Sequence, residues 1–435
     1  MKRMLINDLK DNKNKEVLIK GWVQEIRNLN KIKFLILRDK TGEMQTVAFK
    51  GETEQESFEK INGITKESVV EIIGTVKENK ESRYGIEVGI KKIELITKSE
   101  VPLPIDNTDK SNTNLDKRID YRFLDARNLK KQAIFKIRSK IAKILTNFFD
   151  EKGFININTP KLTMLGAESG AELFKVDYFG SPIYLSQSPQ IYKQMFMNAG
   201  FERVYEIAPV FRAEKFHTNR HVTEFTGVDF EMAFIKDEND LMDMAEDMIK
   251  YLLTNLKKEC VDELKLLDIN HIIPEEIPRI TMQEAKKLMA EKGKKYSEEE
   301  DFDPEGEKLI GQIIKEKFGS EFVFLTNYPW EVRPFYHMKS DNDDKGTKSF
   351  DLLFNGVEIC TGSQREHRLD VLEKQVKEKG IDLKTMQKYT EIFRYGVPPH
   401  GGIGFGLDRI TQKLLGLDNI REAILLPRDP ERRLP

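Results

Sequence analysis

The chain has 435 residues, of which 39% are hydrophobic and 33% charged, and its formal net charge is −2. This length predicts two or three domains, and the composition excludes general disorder. Because the net charge is close to zero, a nucleic-acid partner must be met by a local basic surface rather than by a global positive field.

The two cysteines, Cys260 and Cys360, are too few for a disulfide framework, and without a CxxC pair they predict no structural zinc. The N-terminus lacks an apolar run of signal-peptide length, and no stretch approaches the roughly 20 apolar residues that span a bilayer. We therefore expect a cytoplasmic protein that does not enter membranes.

Short β-rich runs fill the first part of the chain, from Val17 to about Ile96. Five candidate strands show partial period-two patterning and are separated by Gly, Asn or Asp. This pattern predicts a small closed β barrel of the oligonucleotide-binding (OB) type over residues 1–102. Pro, Asn, Asp and Ser then dominate, which predicts a linker over residues 103–128.

An amphipathic helix is predicted to begin near Lys130, because apolar residues recur there at spacings of three and four. Strand-like pieces follow between 162 and 234, and a second helix is predicted within 237–258. The mixture is typical of an α+β domain, which we place at residues 129–435. The charged, helix-prone residues 262–320 are interpreted as a peripheral insertion.

Residues 211–232 combine charged side chains with two strand-like arms that are otherwise rich in Phe and Val. Arg212 in the first arm could pair with a phosphate in a fork geometry that lysine does not match. Glu214, two residues on, could accept a hydrogen bond from an exocyclic amine. A charged, solvated hairpin is the alternative interpretation.

The run GIGFGLDRI at 402–410 places glycines directly before an apparent helix, in which Arg409 could lie flat against a purine. Tight turns would explain the glycines equally well. The spacing does not match the dinucleotide fingerprint, and the chain contains no P-loop. ATP, if it binds, is therefore held in another way.

Asp351 and Glu358 are seven positions apart across a predicted β hairpin within residues 349–368. Two hard carboxylates that converge from neighbouring strands suit Mg²⁺ carried in with ATP phosphates. Two surface acids are the alternative interpretation.

In order and spacing, these clusters resemble the three signature motifs of class II aminoacyl-tRNA synthetases: TP at 159–160, FRAE at 211–214 and GLDR at 406–409. Other segments resemble aspartyl-tRNA synthetases of the archaeal and eukaryotic type: SQSPQIYKQ at 186–194, TEFTGVDFEMAF at 223–234, GSQREHR at 362–368, FRYGVPPHGG at 393–402 and LPRDPERRLP at 426–435. The likeness covers nearly the whole chain. It implies an OB-fold anticodon-binding barrel followed by a class II catalytic domain built on an antiparallel sheet flanked by helices.

The resemblance also implies an ATP site with Mg²⁺ as the cofactor. Arg212, on the α-phosphate, and Arg409, on adenine and the γ-phosphate, are the implied catalytic residues. The other implied contacts to ATP are made by Glu214, His217, His221, Phe225 and Glu358. Asp351 and Glu358 match the Mg²⁺ ligands.

L-Aspartate is the amino acid that the resemblance implies. Lys193 and Arg365 match two cations that grip its side-chain carboxylate, and asparaginyl relatives lack this lysine. Other implied contacts to aspartate are made by Glu168, Gln190, Asp229 and Thr361. An amide would leave two buried cations partly uncompensated, at a loss on the order of several kcal/mol, so we expect asparagine to be rejected.

For the barrel, the resemblance implies recognition of the tRNA(Asp) anticodon. Phe34 would stack on a base, and Gln45 and Glu87 would read base edges, although Phe34 could instead belong to the barrel core. Gln24 and Arg83 stand where we associate Trp and Lys with a strict check of the third anticodon base. This difference favours a nondiscriminating enzyme that also charges tRNA(Asn).

Three alternatives share parts of this pattern. An asparaginyl-tRNA synthetase is the nearest, a lysyl enzyme would need acids around the side chain, and a noncatalytic tRNA-binding paralogue should have lost Arg212, Glu358 or Arg409. All three of these residues are present. The resemblance also implies a homodimer through the helix at 130–150 and the first-motif strand, whereas a helix buried within one monomer would show the same apolar stripe.

Overall fold

The computed structural model describes residues 1–109, 111–164, 172–215, 218–341 and 345–434. The chain divides into two compact units, Met1–Leu129 and Lys130–Pro435. Among the described residues, every helix is too short or too polar to cross a membrane.

A closed five-stranded barrel forms the centre of the first unit. Its elements are β1 (Glu16–Leu29), β2 (Ile32–Arg38), β3 (Glu43–Phe49), α1 (Gln55–Lys60), β4 (Val69–Glu78) and β5 (Ile86–Thr97), followed by α2 (Leu115–Asp120) and α3 (Arg122–Asp125). The strand order is β1-β2-β3-β5-β4; β3 and β5 pair in parallel and the other pairs are antiparallel. The predicted barrel is confirmed.

Two glycines allow the barrel strands to approach each other closely. A Cβ atom on Gly21 would overlap the backbone carbonyl of Arg38, and one on Gly74 would overlap that of Gly89. Alternate residues of β4 are buried, and they contribute to a core that includes Val70, Ile72 and Val76. Strand alternation therefore fills the barrel interior, and glycine is needed at these two positions because a neighbouring backbone lies too close for a side chain.

A buried charge cluster anchors the predicted linker to the barrel. The carboxylate of Glu67 accepts hydrogen bonds from Arg38 at 2.8 Å, Arg127 at 2.9 Å and Asn107 at 3.0 Å. Burial alone would raise the pKa of Glu67, but these partners bring it below its usual range. Segments on both sides of the predicted linker helices thus pack against the barrel, while the domain boundaries themselves stay predictions.

The second unit is built on an eight-stranded sheet with helices packed against it. Its elements in chain order are α4 (Leu129–Glu151), β6 (Ile155–Asn156), β7 (Leu162–Thr163), β8 (Lys175–Tyr178), β9 (Ser181–Leu185), α5 (Gln190–Phe196), β10 (Arg203–Phe211), β11 (Glu224–Ala233), α6 (Glu238–Glu259), α7 (Val261–Leu266), β12 (Arg279–Thr281), α8 (Met282–Glu291), α9 (Pro304–Phe318), β13 (Phe322–Thr326), β14 (Ser349–Phe354), β15 (Glu358–Gln364), α10 (Leu369–Glu378), α11 (Gln387–Thr390), β16 (His400–Gly406) and α12 (Leu407–Leu414).

The strand order in this sheet is β12-β13-β14-β15-β16-β11-β10-β6. The two outer pairs, β12–β13 and β10–β6, are parallel, and the pairs between them are antiparallel. A separate three-stranded sheet has the order β7-β9-β8. This mostly antiparallel α+β arrangement confirms the predicted fold class.

Helices α4 and α6 bury their apolar faces in one core with the large sheet. From α4, Ile137, Ile141 and Ile144 are at most 1% exposed. The apolar stripe of α4 is therefore buried inside this unit. Of the two interpretations of that stripe, a dimer interface or a helix buried within one monomer, the second applies. Asp237 caps α6 by accepting a hydrogen bond from the Asn239 backbone at 2.8 Å, as expected where a polar residue precedes an apolar periodic run.

Residues 262–320 are not wholly peripheral, contrary to the sequence interpretation. Strand β12 continues the large sheet by pairing with β13, and α8 and α9 pack around a second core that includes Met282, Ile310 and Leu325. Helix α9 begins at Pro304, with Asp303 as its cap. A strand of three residues is too short to show a period of two, so no local pattern indicated β12.

Candidate active site

A cavity of about 870 Å³ is lined by residues of the neighbouring strands β10, β11, β15 and β16 and by the segment 331–337. The predicted site residues in its lining are Gln190, Arg212, Glu214, His221, Phe225, Asp229, Glu358, Thr361, Arg365 and Arg409. Lys193 lies behind the lining in contact with Asp229, and Asp351 contacts the lining residue Arg333. The predicted residues Glu168 and His217 lie outside the described residues.

Two buried cations meet at one buried carboxylate. Arg365 donates hydrogen bonds to both oxygens of Glu231, at 3.0 and 3.3 Å, and Lys193 Nζ lies 3.5 Å from Glu231 Oε2. None of the three side chains is more than 3% exposed. Burial alone would raise the pKa of Glu231, but Arg365 and Lys193 hold it below its usual range. The structure thus brings the two predicted cations together through Glu231, an acid of the 211–232 cluster for which no role was predicted.

Lys193 is placed by helix α5 and held by acceptors on two strands. Its ammonium donates to Asp229 Oδ1 at 3.0 Å and to the backbone carbonyl of Ile403 at 2.9 Å. These acceptors come from β11 and β16, which pair with each other in the sheet. The lysine is therefore fixed by the sheet rather than left free to follow a ligand.

Arg365 has partners on several nitrogen atoms. Besides the bonds to Glu231, NH1 donates to Ser363 Oγ at 2.6 Å and NH2 donates to the carbonyl of Gly402 at 3.0 Å. NH1 also lies 3.3 Å from His337 Nε2, and the guanidinium carbon is 5.4 Å from the centroid of the Tyr336 ring. The guanidinium is thereby held in one plane before any ligand arrives.

Lys193, Arg365, Asp229 and Glu231 form a cluster that we call the cation–acid cluster, and its formal charges cancel. Asp229 and Glu231 therefore balance the two cations before any ligand binds. The missed signal lies in VDFEM: Asp229 and Glu231 are two positions apart on β11, so their side chains lie on the same face of the sheet. Only the pairing of distant strands shows that this face meets both cations.

The glycines of β16 make room for the two acids. Gly402 is opposite Glu231 and Gly404 is opposite Asp229 in the strand register. A Cβ atom on Gly402 would overlap the Glu231 carboxylate and the Phe230 carbonyl, and one on Gly404 would lie 3.3 Å from Asp229 Oδ1. These glycines thus form a strand rather than a turn before α12, and their absence of side chains serves the cation–acid cluster.

His337 lines the cavity beside Arg365 and was not predicted. It is 2% exposed, and burial together with Arg365 and Arg333 lowers its pKa well below the usual value. Arginine can only donate hydrogen bonds, so the neutral ring accepts at Nε2 and carries its proton on Nδ1. Within the described residues, that Nδ1 is buried without a hydrogen-bond partner.

Gln190 opens helix α5 and is held by the next turn of that helix. Its Nε2 donates to Gln194 Oε1 at 2.9 Å, and the same oxygen accepts from the hydroxyl of Tyr389 at 3.0 Å. Gln194 Nε2 lies 2.8 Å from His400 Nε2. A buried polar chain therefore fixes the side of the cavity on which Gln190 lies.

Arg212 and Arg409 lie at another part of the lining, with Phe225. The Arg212 guanidinium carbon is 5.3 Å from the centroid of the Phe225 ring, and within the described residues its Nε is buried without a hydrogen-bond partner. Arg409 NH1 donates to the backbone carbonyl of Glu358 at 2.9 Å and lies 3.6 Å from Glu358 Oε2. Burial and the nearby Arg409 lower the pKa of His221, so this ring is neutral near pH 7. Two guanidinium groups thus line this part of the cavity, and Arg212 Nε is a buried donor without a partner among the described residues.

The two predicted metal ligands lie on the paired strands β14 and β15. Asp351 is opposite Thr361, whose hydroxyl donates to Glu358 Oε1 at 3.0 Å. Arg333 donates to Asp351 Oδ2 at 2.7 Å, while Asp351 Oδ1 is buried without a hydrogen-bond partner among the described residues. Burial raises the pKa of Asp351, with a further contribution from Glu358. Burial alone would also raise the pKa of Glu358, but the nearby Arg409 brings that pKa below its usual value.

This pair fits a Mg²⁺ ion that brings other ligands with it. The donor set is hard carboxylate oxygen, and Asp351 Oδ1 is an unsatisfied buried acceptor. The described residues contain no group of three or more His, Cys, Asp or Glu able to hold an ion alone. Phosphate oxygens and water would therefore complete the coordination, as is usual for Mg²⁺.

The predicted anticodon residues lie on the barrel. Phe34 on β2 is half-buried and lies outside the barrel core cluster, so the core alternative does not hold. Gln45 and Glu87 contact each other: Gln45 Nε2 donates to Glu87 Oε2 at 3.0 Å, and Asn79 donates to the same oxygen at 2.9 Å. The register places Gln45 opposite Ile36, on the same face of the β2–β3 pair as Phe34.

Two family descriptions match the chain. Residues 114–430 match the tRNA synthetases class II (D, K and N), and residues 17–96 match the OB-fold nucleic acid binding domain. Together they match most of each compact unit.

Relatives of nearly equal length agree with this match. The chain is 44% identical to the aspartate–tRNA(Asp) ligase of Pyrococcus horikoshii and 45% identical to the aspartate–tRNA(Asp/Asn) ligase of Methanopyrus kandleri, in each case over 97% of this chain and 96% of the relative. The crystal structure of asparaginyl-tRNA synthetase from Pyrococcus horikoshii with asparaginyl-adenylate superposes with a TM-score of 0.93 at 31% identity, covering 100% of both chains. The chain therefore belongs to the class II tRNA synthetases of the D, K and N group, in the aspartate–tRNA ligase family of the archaeal type.

Proposed function

We propose that this protein is a cytoplasmic aspartate–tRNA ligase, which activates L-aspartate with ATP and transfers it to tRNA(Asp). The observation that carries the proposal is the meeting of Lys193 and Arg365 at Glu231, in a cavity that also contains Arg212 and Arg409. The names of relatives that are 44–45% identical support the same activity. Because an asparaginyl enzyme has the same fold, the overall shape does not separate the two substrates.

The reaction requires positioning and charge stabilisation rather than a nucleophilic side chain. The α-carboxylate of aspartate attacks the α-phosphorus of ATP, the bond to the bridging oxygen breaks, and pyrophosphate leaves. Arg212 and Arg409 offset the charge that builds on the phosphates, and Phe225 provides a ring against which adenine stacks. The 3′-hydroxyl of tRNA then attacks the carbonyl of aspartyl-adenylate, and AMP leaves.

Asp351 and Glu358 would hold Mg²⁺ in this scheme. When bound, the ion supplies positive charge to the phosphates and helps to orient them. The unsatisfied oxygen of Asp351 and the mutual repulsion of the two carboxylates support this assignment.

Selection of aspartate over asparagine follows from donors rather than from net charge. Lys193 and Arg365 offer only hydrogen-bond donors, which match the two oxygens of a carboxylate. The amide of asparagine would direct its NH₂ group at these N–H groups, so that one donor faces another in a buried site, which a carboxylate avoids. Because Asp229 and Glu231 already hold both cations, the substrate enters a prearranged site.

The test is ATP–pyrophosphate exchange by the purified protein with either amino acid, followed by aminoacylation of a tRNA(Asp) transcript. Exchange that depends on aspartate, with little or none on asparagine, supports the proposal. A preference for asparagine would assign the chain to the rival activity, and no exchange with either would indicate a noncatalytic paralogue.

We further propose that tRNA(Asn) is charged with aspartate as well. Gln24 and Arg83 carry this proposal, and one of the two relatives above is named for both tRNAs. Arg83 stacks on Tyr84 at 4.6 Å and pairs with Glu43. Aminoacylation of a tRNA(Asn) transcript at a rate within about tenfold of that for tRNA(Asp) supports it, whereas no charging of tRNA(Asn) refutes it.

For anticodon recognition we propose Phe34, Gln45 and Glu87. A half-buried aromatic ring beside a hydrogen-bonded amide offers one stacking surface and one edge reader. Stacking on one base contributes about 1–3 kcal/mol. Phe34→Ala should therefore weaken aminoacylation and leave pyrophosphate exchange unchanged, and an equal loss in both assays would rule out this role.

We also propose a homodimer that uses the first-motif segment rather than the apolar stripe of α4. Ile155 of β6 and Leu162 of β7 are 45% and 44% exposed, although both are large apolar residues. Sedimentation equilibrium should give twice the chain mass. A monomer at micromolar concentration would contradict the proposal.

A further inference from the structure

Helix α9 lies unusually close to the hairpin that carries Glu358. A Cβ atom on Gly311 of α9 would overlap the backbone of Gly356, in the turn between β14 and β15. In the other direction, a Cβ atom on Gly356 would overlap the backbone of Glu307 and Lys308. Two glycines therefore allow backbone contact, and they fix how far the first turns of α9 reach toward the cavity.

Because α9 lies so close to the hairpin, its residue Glu307 contacts Arg220, a residue of the cavity lining. Arg220 NH1 donates to Glu307 Oε2 at 2.6 Å, and the two side chains are 20% and 19% exposed. Arg220 lies in the loop between β10 and β11 and lines the same cavity as Arg212 and Arg409. A segment interpreted as peripheral thus supplies an acid to the nucleotide end of the cavity.

The same loop is also held from its other side. The backbone carbonyl of Asn219 accepts from the Ile420 backbone at 3.0 Å, and its side-chain oxygen accepts from Asn419 Nδ2 at 3.0 Å. Asn219 and Arg220 are therefore anchored to two separate parts of the fold. These two residues are thus held beside the cavity before a nucleotide arrives.

We propose that Glu307 is a positioning residue for ATP, which holds the guanidinium of Arg220 where its remaining donors meet a phosphate oxygen of the nucleotide. The inference rests on the proposed function, because it assigns the triphosphate to this end of the cavity. A guanidinium carries five N–H donors in a fixed plane, so a bond from NH1 to Glu307 orients the group without using all of its donors.

The electrostatic surroundings of Glu307 agree with this placement. Burial raises the pKa of Glu307 to about 7; Arg220 and Arg409 oppose the rise and Glu358 adds to it. Glu307 therefore lies within electrostatic reach of both Glu358 and Arg409, at the end of the cavity where phosphates and Mg²⁺ are expected.

The test is aspartate-dependent ATP–pyrophosphate exchange by the full chain, with ATP and aspartate varied separately. Glu307→Gln removes the acceptor charge with little change of shape, and Glu307→Asp restores the charge on a shorter side chain. Glu305→Gln is the matched control, since Glu305 is two residues away in α9 with a side chain that is 89% exposed. Arg220→Met and the double variant Arg220→Met/Glu307→Gln complete a mutant cycle.

In Glu307→Gln we expect KM for ATP to rise about five- to tenfold, the scale of one net hydrogen bond. The KM for aspartate and the melting temperature should change little, Glu307→Asp should recover part of the loss, and the double variant should behave like Arg220→Met.

An unchanged KM for ATP would overturn the proposal, as would a lower one, because a lower value means that Glu307 withholds Arg220 from ATP. Equal changes in both KM values together with a lower melting temperature would also overturn it, by showing a merely structural role. If the wild-type protein shows no aspartate-dependent exchange, the proposed function itself fails; calorimetric binding of a nonhydrolysable ATP analogue to the same variants then tests Glu307 separately.

Discussion

The two ends of the cavity are prepared for their ligands in different ways. At the amino-acid end, Lys193 and Arg365 are almost fully buried and paired with acids. At the nucleotide end, Arg212 Nε and Asp351 Oδ1 are buried without partners within the described residues. The first arrangement is rigid before binding and suits discrimination between similar amino acids. The second is completed by its ligand, as suits a triphosphate that arrives with its own metal ion.

The largest expected effect comes from breaking the cation–acid cluster. Lys193→Met leaves Asp229 and Glu231 undercompensated in a buried site, a change that typically costs about 3–5 kcal/mol. We expect kcat/KM for aspartate in pyrophosphate exchange to fall by at least roughly 100-fold. Lys140→Met, which removes a surface ion pair with Glu259, is the control and should leave exchange nearly unchanged.

Loss of stability is distinguished from loss of recognition by a second substitution. Lys193→Met/Glu231→Gln removes one charge of each sign, so it should recover much of the melting temperature without recovering aspartate activation. Recovery of both would show that the lysine serves only folding.

At the nucleotide end, the geometry of the donors should matter as well as their charge. Arg409→Lys keeps the charge and loses the planar fork, and we expect a loss of about 1.5–3 kcal/mol, or roughly 10- to 100-fold, in kcat/KM for ATP. KM for aspartate should change little, because the cation–acid cluster is independently held. A parallel rise in both KM values would contradict the division of the cavity into two ends.

The glycines of β16 allow a finer test of the amino-acid end. Gly402→Ala places a methyl group on the Glu231 carboxylate, whereas Gly404→Ala meets Asp229 only at 3.3 Å. Overpacking of this kind costs about 1–3 kcal/mol, so Gly402→Ala should lower the melting temperature and raise KM for aspartate. Gly404→Ala should change both the melting temperature and KM for aspartate by a smaller amount. Equal effects of the two substitutions would show that the sheet around Gly402, including the Phe230 carbonyl and the Glu231 carboxylate, shifts to make room for the methyl group.

A change of pH should act more mildly, and on the nucleotide end. Since the pKa of Asp351 is raised, this carboxyl takes up a proton at a higher pH than an exposed aspartate does. Protonation removes a metal ligand, so the Mg²⁺ concentration for half-maximal exchange should rise a few-fold as the pH falls toward that pKa. Because the folded-state pKa lies above the unfolded value, the contribution of Asp351 to stability becomes more favourable as the pH falls, opposite to the trend in activity. An Mg²⁺ requirement that is independent of pH between 5 and 8 would count against Asp351 as a ligand.

Local patterns predicted the long elements, in which the spacing of apolar residues repeats over many positions. The alternation in the barrel strands and the three-and-four spacing in α4 are strong because each element buries one face. Motif resemblance located Arg212, Glu358, Arg365 and Arg409, which all line one cavity. Short elements such as β12 carried no such signal, and their place in the sheet depends on pairing with distant strands.

The residues that sequence reasoning missed act through tertiary contacts. Glu231 looks like any acid on a strand until β11 is paired with β16 and meets α5, and Glu307 looks like a solvated helix residue until two glycines bring α9 onto the hairpin. His337 follows an aromatic pair and gave no pattern at all. Each of the three residues contacts an arginine on a different segment of the chain, either Arg365 or Arg220. Neither spacing nor composition could reveal such a contact.

Exchange of pyrophosphate into ATP, measured side by side with aspartate and asparagine, tests the central claim most directly. A prearranged site of two donors that are held by two acids predicts that kcat/KM for aspartate exceeds that for asparagine by at least roughly 100-fold, and that Lys193→Met removes most of this preference. Equal use of the two amino acids by the wild-type protein, or a preference that survives Lys193→Met, would contradict it.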